Sequence, residues 1–224
     1  MTFVDISQGW YDGMPSYEAS WYPEFSSHPV MTPASDPSGV GRTFTELHLF
    51  PHNGTHIESG YHFFQDGKKI DEVPLETFIG PAVVADLSHK QDLDPVTGDD
   101  LEKAVGEVWQ EGHRLLIRTD HPERHLGDPD YWATAAYLTP EAADWIVEHR
   151  ASLVGMDCIT EKPGPGDSPV HRRLLGAGVP ILENIRNLHL ISKREVHLVA
   201  LPVLVSGVEA APTRALVFED WPSA

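Results

Sequence analysis

The chain has 224 residues, 41% of them apolar and 22% charged, which is enough for one well-buried core and ordinary for a globular protein. Its formal net charge of −18 argues against a nucleic-acid partner, because phosphates would be repelled over most of the surface. A single cysteine, Cys158, excludes an internal disulfide, and no window approaches the run of ~18 apolar residues that a bilayer span requires.

The N-terminus, Met1-Thr2-Phe3-Val4-Asp5, lacks the basic and apolar blocks of a secretory signal. Together with the lone cysteine this points to a cytoplasmic protein. No repeat, linker or low-complexity tract divides the chain, so one domain is expected over 1–224. Residues 12–42 are rich in Pro, Gly, Ser and aromatics, so residues 1–44 read as an irregular, aromatic-rich arm. Trp10, Tyr11, Tyr17, Trp21, Tyr22 and Phe25 lie in or beside it, suited to closing a pocket, packing on a second subunit or filling core.

Strands are predicted over Thr45–Phe50, Pro81–Leu87, Arg114–Arg118 and Ser152–Asp157 from short apolar runs ended by polar residues. A helix is predicted over Leu101–Gln110, with Asp99 or Asp100 as its cap. Another begins at Thr139, with the hydroxyl as N-cap, Pro140 at the first helical position and Glu141 in the first turn. A short helix is expected around His171–Leu175. Val196–Val205 and Arg214–Phe218 flank Ser206-Gly207 and read as an antiparallel pair. The mixture is α/β or α+β, and the pattern leaves sheet topology open.

The densest chemistry lies in Pro51-His52-Asn53-Gly54-Thr55-His56-Ile57-Glu58-Ser59-Gly60-Tyr61-His62. His52, His56 and Glu58 offer the nitrogen and oxygen donors that a borderline divalent cation prefers. The intervening Asn53-Gly54-Thr55 disfavours a helix, so the motif is expected to wrap a loop around the ion. Glu58 follows His56 by two, the spacing that returns a side chain to the same strand face. Three ligands leave room for water, and His62 is left over to handle a proton. That spacing points to a metal-dependent hydrolase.

The same residues, His52-x-Gly54-Thr55-His56-x-Glu58-x-x-x-His62, resemble the H-x-G-T-H-x-D-x-P-x-H signature of the cyclase-like metal-dependent hydrolases, the family of bacterial kynurenine formamidase and isatin hydrolase. The resemblance continues in family order through Val84-x-Asp86-Leu87-Ser88, Leu116-Ile117-Arg118-Thr119, Gly155-x-Asp157, His171-x-x-Leu174-Leu175, Ile181-Leu182-Glu183-Asn184 and Pro212-x-Arg214-Ala215. It implies a compact α/β domain of the swivelling β/β/α type and a homodimer or homotetramer with arm aromatics at the interface. It also implies one or two divalent ions, zinc or manganese, per subunit. His52, His56 and Glu58 would hold the first; Glu58, His171 and Glu183 the second; His62 would donate and accept protons. Two departures stand out. Glu58 replaces the family's aspartate, and Gly60 replaces its proline, which should loosen the segment presenting His62. Ser20-Trp21-Tyr22-Pro23-Glu24 partly matches the family's aromatic-Trp-Pro-Gly-Asp stretch, which makes Trp21 a candidate for stacking on substrate.

The expected activity is hydrolysis of an amide or lactam bond in a small substrate, aromatic ones included, by metal-activated water. No G-x-S-x-G elbow offers a serine nucleophile. The competing readings are a metal-assisted lyase or dehydratase and a non-catalytic metal- or ligand-binding relative. Asp157 ends an apolar strand, where it is expected to orient a ligand histidine rather than cap the next turn. Cys158 reads as a small buried apolar residue, and Glu161–Asp167 as a loop that is either a pocket rim or a surface connection. His121 and His125 stand four apart, but Pro122 and the flanking acids favour a solvated turn.

Overall fold

The computed structural model describes residues 2–17 and 19–221. In chain order the strands β1 (Phe3–Asp5), β2 (Ser26–Met31), β3 (Phe44–His48), β4 (His56–Glu58), β5 (Ile79–Asp86) and β6 (Pro95–Val96) come first. Then follow α1 (Gly98–Val105), β7 (Arg114–Arg118), α2 (His121–His125), α3 (Tyr131–Thr134), β8 (Tyr137–Leu138) and α4 (Pro140–Glu148). The chain closes with β9 (Leu153–Met156), α5 (Pro169–Gly176), β10 (Ile181–Glu183), β11 (Glu195–Pro202) and β12 (Ala210–Phe218).

One sheet runs β12-β11-β5-β7-β9-β10-β4 and closes into a seven-stranded barrel, because β4 also pairs with β12. The edge of β12 that receives β4 at Ala210–Pro212 receives β1 further along, at Leu216–Phe218. Neighbours β5, β7, β9 and β10 are parallel, and helices occupy the crossovers between them. The remaining barrel pairs are antiparallel, among them β11 with β12, where Leu198 faces Val217.

Alternation along the strands divides the apolar residues between two cores. Val83, Ala85, Leu115, Ile117, Val154 and Met156 face outward and are covered by Leu101 of α1, Ile146 of α4 and Leu174 of α5. Their neighbours Ala82, Val84, Leu116 and Leu153 face inward and meet Ile57, Leu182, Leu198 and Val217 inside the barrel. The continuous apolar runs in β7 and β9 thus follow from burial on both faces. Gly155 points into the crowded interior, where a Cβ would lie 2.9 Å from Leu116 Cδ2.

Local signals place most helix ends. Thr139 Oγ1 accepts from Ala142 N at 3.3 Å, with Pro140 in the first turn of α4, as the sequence predicts. Helix α1 starts earlier than predicted and its cap is Thr97, not Asp99 or Asp100. Thr97 Oγ1 accepts from Asp100 N, and the Asp100 carboxylate accepts from Thr97 N, which puts Asp100 at the third position of a capping box. The His121–His125 segment is a short helix rather than a solvated turn, and His121 is only 1% exposed. Pro122 sits in its first turn, where a missing N–H costs little.

The arm is also more regular than its composition suggests. β1 joins the main sheet, and β2 pairs with β3 in a separate two-stranded ribbon bulged between Pro29 and Met31. The predicted strand at Thr45–Phe50 is therefore β3 of this exposed ribbon, not a barrel strand. Among the described residues no helix is long and apolar enough to cross a membrane.

Candidate metal centre

The barrel seam brings the two sequence-distant stretches together. Strand register places His56 opposite Glu183 and Glu58 opposite Ile181. Because Ile57 and Leu182 enter the barrel core, His56, Glu58 and Glu183 project from the opposite face. Helix α5 lies on that side and contributes His171. The loop before β4 adds His52, and a 3₁₀ turn over Gly60–His62 adds His62.

Glycine is required at the loop's tightest point. Gly54 has a φ of +58°, and a Cβ there would lie 2.7 Å from Trp10 Nε1. Its carbonyl accepts from His56 Nδ1 at 3.0 Å and from Asn184 Nδ2 at 3.0 Å. The first bond fixes the tautomer of His56 and leaves Nε2 with its lone pair toward the cluster.

Glu58 is the hub, and its side chain is 2% exposed. Oε1 lies 2.7 Å from His52 Nδ1, 3.4 Å from His56 Nε2 and 3.7 Å from His62 Nε2. Oε2 lies 3.4 Å from His171 Nε2 but has no hydrogen-bond partner among the described residues. Glu183 approaches from the other side, 3.5 Å from His56 Nε2 and 3.7 Å from His171 Nε2. All six residues proposed from the sequence as ligands or proton carrier thus converge on one cluster, with His56 buried beneath the five that line the cavity.

Electrostatics indicate what the cavity lacks. Burial opposes ionisation of Glu58, yet the facing imidazoles, those of His171 and His52 foremost, hold its carboxyl well below the usual range. Burial likewise disfavours protonated His52 and His171, but carboxylate partners prevail. Glu209 and Glu58 raise His52 to about 9, and Glu161 and Glu58 raise His171 to about 10. Carboxylates crowded into a low-dielectric cavity call for positive charge, and a buried oxygen of Glu58 has no donor. Imidazole nitrogens and carboxylate oxygens within a few ångströms fit a divalent metal; one donor atom each from His52, His56 and Glu58 lie within 4.8 Å of one another.

Several supporting residues escaped the sequence reading. Glu209 Oε1 lies 3.1 Å from His52 Nε2, and Glu161 Oε1 lies 3.1 Å from His171 Nδ1. Each carboxylate orients the ring nitrogen that faces away from the cluster. Glu161 also accepts from Val170 N and His171 N, both at 2.9 Å, so it tethers the start of α5 as well. Thr160 Oγ1 donates to Glu183 Oε1. Glu161 lies in the loop read from composition as rim or connection, and it does line the cavity. No spacing rule marks Glu209; only its position before β12, the partner of β4, places it there.

Two expectations change. Asp157 does not orient a ligand histidine. It accepts from Thr119 N and Oγ1, each at 2.7 Å, and from Asp120 N at 2.9 Å, so it caps the turn after β7. Desolvation raises its carboxyl to about 7 against the pull of these donors. Nor is the Gly60 segment loose. His62 N donates to Ser59 O and Tyr61 N to Lys68 O, both at 3.0 Å. Gly67 packs so closely that a Cβ on it would lie 2.3 Å from Gly60 C. Cys158 is buried, and burial pushes its thiol up.

His62 stands at the cavity mouth, its side chain 28% exposed, with its ring 4.6 Å from that of His52. Burial draws its imidazole below the ordinary value, against the opposing charge of Glu58. Above it the cavity, about 1660 Å³, is walled by Tyr17, Trp21, Tyr22, Phe50, Phe63 and Trp132. Trp21 is 70% exposed at the rim. Tyr22 is tied inward, its hydroxyl donating to His52 O at 2.6 Å.

Residues 4–161 match the family described as "Putative cyclase", and the chain belongs to the cyclase family. It is 30% identical to a kynurenine formamidase of Bacillus thuringiensis (strain Al Hakam), over 96% of each chain. It is 28% identical to a kynurenine formamidase of Bacillus mycoides (strain KBAB4), again over 96% of each. Among solved structures, a potential metal-dependent hydrolase with cyclase activity superposes with a TM-score of 0.78 at 26% identity, covering 99% of both chains. Isatin hydrolase A from Ralstonia solanacearum shares the fold with a TM-score of 0.85 at 24% identity, covering 98% of this chain and 92% of its own.

Proposed function

We propose that the chain is a metal-dependent amidohydrolase that opens the amide or lactam bond of a small aromatic substrate. The observation that carries this reading is the buried Glu58 carboxylate, faced by His52, His56, His62 and His171 and left with one oxygen unpartnered. Relatives named kynurenine formamidase support an aryl amide, and the aromatic walls of the cavity suit a planar ring.

His52, His56 and Glu58 would hold one divalent ion, zinc or manganese. His171 and Glu183 would complete a second position that shares Glu58. A bound ion of this kind lowers the pKa of water from 15.7 towards ~7 and polarises a carbonyl oxygen. Glu209 and Glu161 keep the His52 and His171 rings turned so that their inner nitrogens face Glu58. His62, uncharged near neutrality, takes the proton from the attacking water and returns it to the leaving nitrogen. Trp21 and Tyr22 cover the ring and keep bulk water from the reacting carbonyl.

Elemental analysis of the purified protein, with turnover of N-formyl aromatic amines and isatin-like lactams before and after chelation, tests the reading. Chelation should abolish turnover and re-addition of zinc or manganese should restore it. Turnover that survives complete metal removal would overturn the proposal. Product analysis in oxygen-18 water separates hydrolysis, which labels the acid, from a lyase reaction, which does not.

The exposed apolar side chains in and beside the arm ribbon, Val30, Phe44, Leu47 and Leu49, support assembly as a homodimer or homotetramer through this part of the chain. Light scattering on the purified protein tests that; a monomer at micromolar concentration counts against it.

A further inference from the structure

Away from the barrel seam, the loop after β5 and the short helix α2 bring a second set of metal-ligating side chains together. One donor atom each from Asp92, His121 and His125 lie within 4.8 Å of one another. His121 and His125 occupy the same face of α2, four residues apart, with ring centroids 4.9 Å apart. We propose that Asp92, His121 and His125 form a separate binding site for a borderline divalent cation such as zinc.

The buried histidine carries the argument. His121 is 1% exposed, and its Nε2–H donates to Tyr131 O at 2.8 Å. That bond puts the proton on Nε2 and leaves the lone pair on Nδ1. Nδ1 is buried and has no partner among the described residues. A neutral imidazole with one nitrogen anchored to a carbonyl and the other free is the form in which histidine binds metal. Burial, the largest influence on His121, favours that neutral form.

His125 repeats the arrangement with a carboxylate in place of the carbonyl. Its Nε2 lies 3.0 Å from Asp92 Oδ1, and its Nδ1 lies 3.1 Å from Asp128 Oδ2. Asp128 would orient the ring while Nε2 and the Asp92 carboxylate face the cation. Arg124, the nearest cation in the helix, is engaged elsewhere: its guanidinium donates to Thr119 O at 2.8 Å and to Lys90 O at 3.2 Å. Two imidazoles and one carboxylate leave a fourth position for water and favour zinc over magnesium or calcium, which prefer oxygen donors. Surface ion pairing of His125 with its two aspartates would explain their contacts, but not the unpartnered Nδ1 that His121 presents. The ion would clip the loop after β5 to α2.

The test compares wild type with His125→Ala and Asp92→Asn, substitutions at partly exposed positions. Each chelator-stripped protein is dialysed against zinc and its bound metal counted. Wild type should hold one equivalent more than either variant. A Asp128→Asn variant should keep that equivalent with roughly 10- to 100-fold weaker affinity. His52→Ala lowers the count through the other centre only, so His52→Ala should still hold one equivalent more than His52→Ala/His125→Ala and gain more in melting temperature from zinc. Equal zinc counts in wild type, His125→Ala and Asp92→Asn would overturn the proposal.

Discussion

The barrel seam and the arm ribbon are built on opposite terms. At the seam, β4 is paired on both edges, by β10 and β12, and its three residues are all buried. In the ribbon, β3 is exposed along its whole length and pairs only with β2 among the described residues. The candidate acid–base and metal-binding groups sit on or beside the first, whereas Tyr17, Trp21 and Tyr22 lead into the second and Phe50 follows it, covering the cavity. The division has a physical logic. Ligand geometry tolerates displacements of about 0.5 Å, which paired strands can enforce, whereas substrate cover needs surfaces that can adjust.

Changes at the seam should therefore be the most severe. His56→Ala removes a buried imidazole that meets both Glu58 and Glu183, and it should lose metal and turnover together. Metal retention with full activity in that variant would break the comparison at its strongest point. Next, His62→Ala should keep its metal and lose on the order of 10²- to 10⁴-fold in kcat, the usual worth of a general acid–base. An unchanged kcat would remove His62 from proton transfer. One step further out, Glu209→Gln keeps the shape but removes the charge that orients His52. Metal affinity should fall roughly 10- to 100-fold, measured by competition with a chromogenic chelator.

Arm substitutions should move different observables. Trp21→Ala should raise KM for an aromatic substrate roughly 2- to 10-fold, leaving metal content and melting temperature alone. A fall in metal content would mean that arm and seam are not independent. The smallest effect is expected in the turn leading into β3. There Asp36 accepts from Ser38 Oγ, Ser38 N and Arg42 N, and these donors hold its carboxyl well below the ordinary 3.8. A depressed native pKa means the stabilisation is complete above the ordinary value and is lost as pH falls toward the native one. Acidification below about pH 4 should thus speed amide exchange over residues 36–42, and Asp36→Asn should do the same at neutral pH without touching turnover.

Much of the seam was legible because its donors are clustered. His52, His56, Glu58 and His62 fall in one short stretch, and alternation predicts that His56 and Glu58 share a face. His171 and Glu183 were legible only through family resemblance, since a lone histidine near a helix start carries no chemistry by itself. Glu209 and Glu161 were not legible at all. They act through contacts that span 157 and 10 residues and follow no periodicity. Asp157 was misassigned for the same reason. Its place at a strand end was visible, but the donors that take up both its oxygens come from the end of the neighbouring strand, β7. His121 looked solvated because its neighbours are polar, whereas its burial depends on Tyr131 folding over it.

By itself the sequence determined the local events: apolar runs that must be buried on both faces, the hydroxyl cap on α4, a glycine where φ is positive, and a donor set suited to a cation. These depend on neighbours a few residues away. Only the tertiary structure decided that the sheet closes between β4 and β12, and that this closure sets His56 opposite Glu183 with His171 above them. Strand pairing across more than a hundred residues depends on which apolar faces can be covered together, and that property belongs to the assembled barrel rather than to any segment of the chain.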